Sequence, residues 1–335
     1  MTRNRATAFA PGSIGNVGPG FDVLGLAFDG LGDRVTVELT KRESRVDAIT
    51  GRDAELVPRD ASLNAAAIAA NAYLQPYGFR AIVTLDKGLP LAAGMGGSAA
   101  SSVAGAYAAG LALGQSPQPR EVIAAALEGE SAVAGRHLDN IVPSVFGGLG
   151  LSRCTDPIDA TKLPVNADWW LALVTPQVRI ETKEARALLP NETDRATWIQ
   201  QMANTTALVH AFATGDAALL GRALDDRYAE PRRASLIPNF FEAKRAALDA
   251  GAFACTISGS GPTLFAIAAD ERAARACAEA MERALGDVKL THVARIAREG
   301  VRNAEFLGVP RVPRSSSEEP ATRGTPRNSE EPEEL

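Results

Sequence analysis

Apolar residues change their spacing along the chain, and each change predicts an element. Val35, Val37 and Leu39 alternate with Thr36, Glu38 and Thr40. That period of two marks a half-exposed strand, antiparallel by its one-sided polarity. Residues 23–28, 79–86 and 169–174 are apolar runs of strand length. Alanine-rich segments predict a helix over 62–73, with Ser62 as its N-cap, and another running on from Ser98. A further helix is expected over 119–134, with Val122, Ile123, Ala126 and Leu127 on its apolar face. Residues 6–20 hold seven turn-formers in fifteen positions (Pro11, Gly12, Ser13, Gly15, Gly18, Pro19 and Gly20) and predict a loop. In the second half, Thr182 is expected to cap a helix, followed by helices over 195–213 and 215–226 and one ending near Ala250. Strands over 254–257 and 263–268, a helix over 270–285 and a strand over 288–296 complete the pattern. The chain opens on strands before any helix, whereas an all-parallel sheet would alternate the two. The expected class is α+β.

Composition narrows what such a chain can do. Its 335 residues suggest about two domains, and 46% hydrophobic residues suffice for a real core. The net charge of −5, with no basic face, argues against a nucleic-acid partner. No stretch approaches the ~20 apolar residues of a membrane span. The N-terminus carries charge without a following apolar run, which argues against a signal peptide. Three scattered cysteines, Cys154, Cys255 and Cys277, form no Cys-x-x-Cys, so neither a disulfide framework nor a structural zinc is expected. A cytoplasmic protein with free thiols fits these features. Beyond Pro310 the chain turns rich in Ser, Pro, Arg and Glu, and residues 311–335 are expected to be a disordered tail.

The most informative stretch is Leu89-Pro-Leu-Ala-Ala-Gly-Met-Gly-Gly-Ser-Ala-Ala-Ser-Ser102. Gly94, Gly96 and Gly97 fall between a predicted strand and a predicted helix. Glycines let a backbone approach a ligand closely. A helix start presents unpaired amides and the positive end of its dipole. Together these suit a phosphate, while a plain tight turn capped by Ser98 remains the simpler alternative. A P-loop is excluded, since no Gly-Lys-Ser/Thr is present, and so is an opening Gly-x-Gly-x-x-Gly unit. Glu128 and Glu130 lie near the end of the 119–134 helix, where acids oppose the dipole. They are either solvated or ligands for magnesium, which prefers one or two carboxylates plus phosphate oxygens. Asp22, at the mouth of the N-terminal glycine-rich segment, is a turn cap or a partner for an ammonium or hydroxyl group. Asp139 and Asn140 follow His137 in a loop and are candidate hydrogen-bond partners for a substrate hydroxyl. Arg186 and Arg233, taken alone, read as ordinary surface arginines.

Pro90-x-x-x-Gly94-Met-Gly96-Gly97-Ser98-Ala-Ala resembles the ATP loop of the GHMP kinases, Pro-x-x-x-Gly-Leu-Gly-Ser-Ser-Ala. Met95 replaces a leucine, and Gly97 replaces a serine whose hydroxyl commonly lies near magnesium in the family. His137-x-Asp139-Asn140-Ile-x-Pro with Gly147-Gly148, Thr182-Lys-Glu-Ala-Arg186 and Glu230-Pro-x-Arg233-x-x-Leu-Ile-Pro-Asn239 are similar to the homoserine kinase branch. Ser258-Gly-Ser-Gly261 matches the third family motif, which closes the site around phosphate and substrate.

The resemblance implies a two-lobed α+β fold. A ribosomal S5 domain 2-like ATP-binding lobe would occupy residues 1–155 and a ferredoxin-like lobe residues 156–310. It implies ATP and L-homoserine as substrates, Mg2+ as cofactor, O-phospho-L-homoserine as product and a possible homodimer. ATP would be held by Pro90, Leu91, Ala92, Ala93, Gly94, Met95, Gly96, Gly97, Ser98, Ala99, Ala100 and Ser101, with Asn64 near the nucleoside. Magnesium would be held by Glu130, with Glu128 in reserve, and by Ser98. Asn16, Asp22, Asp139 and Asn140 would bind the amino and hydroxyl ends of homoserine, with Gly261 closing the site. Arg186 and Arg233, helped by Thr182, would bind its carboxylate, since a planar guanidinium suits bidentate carboxylate binding. Asp139 is the only candidate general base. Direct attack by the hydroxyl, with its proton passing to phosphate, is the more economical mechanism. Another small-alcohol kinase of this family, or a catalytically silent nucleotide-binding regulator, are the alternatives.

Overall fold

Two antiparallel-rich sheets, each covered by helices, arise from the pattern above. A computed structural model describes residues 4–304. The tail expected over 311–335 lies outside these residues. The first sheet contains β1 (Arg5–Gly15), β2 (Leu24–Thr40), β3 (Arg45–Gly51), β4 (Arg80–Lys87), β5 (Leu149–Thr155) and β6 (Ile158–Leu163). Between these strands come α1 (Ala65–Leu74), α2 (Gly97–Ala112), α3 (Pro119–Val133) and α4 (Ile141–Phe146). The second half carries β7 (Trp170–Pro176), α5 (Thr182–Ala187), α6 (Arg195–Thr214), α7 (Ala217–Ala223), α8 (Glu230–Arg233) and α9 (Phe240–Asp249). It ends with β8 (Ala254–Ile257), β9 (Leu264–Ala268), α10 (Glu271–Leu285), β10 (Val288–Arg295) and β11 (Arg302–Asn303). No helix among the described residues is long and apolar enough to cross a membrane.

The first sheet runs β11-β1-β2-β4-β3, with β5 pairing β2 and β6. Only β3 and β4 pair in parallel. The second sheet runs β10-β7-β9-β8 with antiparallel pairs throughout. Its β-α-β-β-α-β chain order makes this the expected ferredoxin-like lobe. The expected division at 155/156 falls inside the β5–β6 hairpin, whose pairing runs from Leu149↔Leu163 to Thr155↔Ile158. Residues 164–169 make the crossing to the second sheet instead, and β11 returns to pair with β1.

Two expectations are corrected here. Residues 6–20 are not a loop: most of them form β1, one of the central strands. Pro11 costs no ladder bond because it sits where the β1–β2 register shifts, between Pro11 and Ser13. Only the part after Gly15 turns. The separate strands expected at 23–28 and 35–40 are one strand, β2, long enough to pair with β5 at its start and β4 at its end.

Helix starts are also corrected. Asn64, not Ser62, caps α1: its Oδ1 accepts from Ala67 N at 3.2 Å. Glu181 rather than Thr182 holds the N-cap position of α5. Gly96 holds that of α2, with φ +66°, so Ser98 lies within the first turn.

The core follows the apolar stripes. Phe28, Ile14, Leu24, Leu26 and Leu85 are buried beneath α1, α2 and α3. In the second lobe, Val174, Ile257, Leu264 and Met281 pack between sheet and helices. All three cysteines are free. Cys255 and Cys277 are buried as small apolar groups, and Cys154 is exposed.

Candidate active site

The Gly94–Ser98 loop does not stand alone; the second lobe closes against it. Ser258 Oγ donates to the Gly94 carbonyl at 2.6 Å and Thr263 Oγ1 to the Ala93 carbonyl at 2.5 Å. From the other side, Ser13 N donates to the Met95 carbonyl at 3.1 Å. Gly94 has φ +72°, and a Cβ on it would lie 2.3 Å from the Ser258 carbonyl and 2.8 Å from that of Gly261. Glycine is therefore required where loop and turn meet. Leu91 N is held at 2.9 Å by Asp53 Oδ2, and Ala92 takes φ +50°. Ala99 and Ala100 are buried in the first turns of α2. At Gly97, by contrast, a Cβ would make only ordinary contacts, the nearest 3.4 Å away at Lys87 Nζ. Space does not explain the glycine there.

Glu130 is brought to this loop. It is 5% exposed, and the Ser98 hydroxyl hydrogen-bonds its carboxylate, while its Oε2 is buried without a partner. Burial pushes its pKa up to about 7, with the Ser98 bond, the Asp139 charge and Lys87 as smaller influences. A dry carboxylate with one open oxygen at a helix N-terminus fits a divalent cation. Glu128 is exposed and faces Arg136 at 3.4 Å, which removes it as the reserve ligand.

Asp139 and Asn140 lie on the same floor. Asp139 is 5% exposed, and its Oδ2 accepts from Asn16 N at 3.1 Å. Burial, then the Asp22 charge, pushes its carboxyl up to about 7. Asn140 Oδ1 accepts from Ser13 Oγ at 3.0 Å. The loop sits this close because a Cβ at Gly25 of β2 would lie 1.6 Å from the Asp139 carbonyl. Asn16 donates through Nδ2 to the Gly259 carbonyl at 3.0 Å and accepts from Asp22 N. It therefore joins the N-terminal turn to the 258–261 turn.

The two arginines expected to grip a carboxylate are brought together, but their present partners differ. Arg186 already holds an acid: Nη1 and Nη2 bond Asp22 Oδ2 and Oδ1 at 2.9 and 2.8 Å. That pair, with its Asp22 hydrogen bond first among causes, holds the Arg186 guanidinium above its ordinary pKa. His137 Nδ1 stands 3.7 Å from Asp22, and burial pulls its imidazole below the ordinary value. Arg233 differs. It is 3% exposed, yet it bonds only the carbonyls of Gly259 at 2.9 Å and Ala185 at 3.3 Å. Among the described residues no carboxylate lies within ion-pair distance of it. Burial, then the Arg186 charge, pulls its guanidinium below the ordinary value. Both arginines face the ring of Phe21, at 5.2 and 5.3 Å. Thr182 Oγ1 lies 3.4 Å from Ser260 Oγ at the edge of this group.

Two residues expected at ATP are occupied by the fold. Asn64 spends Oδ1 on the α1 cap and donates through Nδ2 to the Pro58 carbonyl at 2.9 Å. Ser101 points beneath the loop, where its hydroxyl reaches Asp33 Oδ2 at 2.5 Å and the Gly97 carbonyl at 3.0 Å. Sequence reading missed Ser13, Ser258 and Thr263, whose hydroxyls pin the loop. The Ser-Gly-Ser-Gly turn signalled one of them; Ser13 lies within β1 and Thr263 just before β9, and neither carries a local mark.

A glycine-rich loop opening a buried helix, a carboxylate beside it and a ferredoxin-like lobe closing over it define a small-molecule kinase of the GHMP class. The family models described as GHMP kinases N terminal domain and GHMP kinases C terminal match residues 62–148 and 208–287. The homoserine kinase of Chlorobium phaeobacteroides (strain BS1) is 38% identical over 299 residues, covering 84% of this chain and 92% of that protein. That of Arabidopsis thaliana is 40% identical over 290 residues, covering 84% and 78%. The crystal structure of homoserine kinase from Cytophaga hutchinsonii superposes with a TM-score of 0.85 at 37% identity, covering 90% of this chain and 98% of that one. The chain belongs to the homoserine kinase family. L. major mevalonate kinase, at a TM-score of 0.68, 14% identity and coverage of 86% and 94%, shares the fold.

Proposed function

We propose that this protein transfers the γ-phosphoryl group of ATP to the hydroxyl of L-homoserine, giving O-phospho-L-homoserine and ADP. The observation that carries this reading is Arg233. A buried cation without an anionic partner is costly, and a substrate carboxylate relieves that cost. Arg186 shares the Phe21 ring with it, so the two guanidinium groups suit one carboxylate. Asp22 and Asn16 lie where the α-ammonium group of the same amino acid would need an acceptor. A zwitterion would thus exchange its own charges for the Asp22–Arg186 pair. A neutral alcohol would leave Arg233 uncompensated.

Phosphoryl transfer needs positioning and charge neutralisation more than covalent chemistry. The amides of the Gly94–Ser98 loop and the start of α2 would hold the ATP phosphates. Glu130 and Ser98 would hold Mg2+, which supplies charge neutralisation on the β- and γ-phosphates. The homoserine hydroxyl would attack the γ-phosphorus as the bond to the β–γ bridging oxygen breaks. Its proton would pass to Asp139, whose carboxyl is poised near neutrality, or to the transferred phosphoryl group.

The test is ADP release with Mg2+ and ATP, comparing L-homoserine with mevalonate, galactose and L-threonine. Turnover with homoserine above the other three is expected. Equal turnover with mevalonate or galactose would contradict the reading of Arg233. Nucleotide binding with no turnover on any of them would favour a silent regulator.

A further inference from the structure

Lys87 and Asp33 form an ion pair whose side chains are 2% and 0% exposed. None of the chemistry above uses it. Burying two charges is rarely worth more than a well-packed apolar pair, so its retention calls for a reason. Its partners supply one. Asp33, on β2, accepts through Oδ1 from Gly88 N at 3.1 Å and Leu89 N at 3.2 Å, where the chain leaves β4 for the loop. Its Oδ2 accepts from Lys87 Nζ and from Ser101 Oγ. Lys87 Nζ donates further to the Gly97 carbonyl and to Ser101 Oγ, both at 3.1 Å. All three ammonium protons are taken, and none is left for a nucleotide. The network ties the entry of the loop, at 88–89, and its exit, at Gly97 and Ser101, to one point on β2. Apolar residues at 33 and 87 would leave the Gly88 and Leu89 amides without these acceptors.

We propose that Asp33, Lys87 and Ser101 form a buried brace that fixes the two ends of the phosphate loop, making them positioning residues for nucleotide phosphates. This rests on the reading of the Gly94–Ser98 loop as the ATP phosphate site. The brace acts on the loop's backbone amides, so its loss should weaken phosphate binding and leave the homoserine pocket alone.

The experiment titrates the full chain, as wild type, S101A and K87M, with ADP and with adenosine by calorimetry. Homoserine KM and thermal melts are measured in parallel. S101A keeps the ion pair and loses one hydroxyl, so its ADP affinity should fall about fivefold, one hydrogen bond's worth. Adenosine affinity and homoserine KM should stay within about twofold, inside the spread of an unrelated surface change. K87M should weaken ADP by at least about tenfold where it folds, since it strips a charged donor; if it does not fold, S101A decides. Wild-type melting of S101A with unchanged ADP affinity would overturn the brace. So would equal weakening of ADP, adenosine and homoserine, the mark of a general structural role. Wild-type protein that binds no ADP would instead overturn the loop assignment.

Discussion

Asp139 and Glu130 are held away from water, and both titrate near 7 as a result. Their folded values lie above those of an unfolded chain, 3.8 and 4.5. The folded protein therefore binds more protons than the unfolded one between those limits. The associated stability is complete at about pH 4 and below, and is lost as pH rises through about 7. Thermal melts of the nucleotide-free protein should show a midpoint falling between about pH 4 and 7 and levelling off above that, for this reason. The E130Q/D139N double variant should flatten that slope; the same slope in the double variant would contradict the assignment. For catalysis, Asp139→Asn is the decisive single change. Loss of a general base lowers kcat by roughly 10²–10⁴, so turnover within about tenfold of wild type would leave the direct transfer of the proton to phosphate. Arg233→Met should raise the homoserine KM by about 10- to 100-fold, the range for a charged hydrogen-bonding group, with ATP KM unchanged. Parallel rises for both substrates in steady-state kinetics would speak against a carboxylate clamp.

Elements whose reason is local were legible in the sequence. The alternation in β2, the strand before the loop and α2 with its glycine-rich start all followed from spacing and turn chemistry. Elements whose reason is tertiary were not. β1 contains Pro11 and three other turn-formers, and it is a strand because β2 and β11 flank it and a register shift absorbs the proline. The α1 cap moved from Ser62 to Asn64, because only Asn64 is placed to take Ala67 N. The arginines and acids could be named from family strings, but their pairing could not. Asp22 lies 164 residues from Arg186, and Asp33 lies 54 from Lys87. At this scale, the contact between loop and turn can be tested directly. Gly94→Ala places a methyl group against the Ser258 carbonyl in a left-handed conformation, a strain of about 1–3 kcal/mol. Its melting midpoint should drop and its ADP affinity with it. A variant that melts and binds ADP like wild type would show that the turn does not close on the loop.

Across the whole molecule, the first lobe supplies the glycine-rich loop proposed to hold phosphate and the buried carboxylates, and the second lobe supplies both arginines. The 258–261 turn and Asn16 join them. Homoserine and ATP would meet only where these parts converge, so the central claim is that one phosphoryl group crosses that junction to a bound amino acid. The most direct measurement is phosphorus NMR of a reaction containing the protein, Mg2+, ATP and L-homoserine. The ATP γ-phosphorus signal is expected to give way to a phosphomonoester coupled to the homoserine side-chain methylene, in step with ADP. Appearance of the same phosphorus as inorganic phosphate, or a γ-signal that persists while nucleotide is bound, would contradict it.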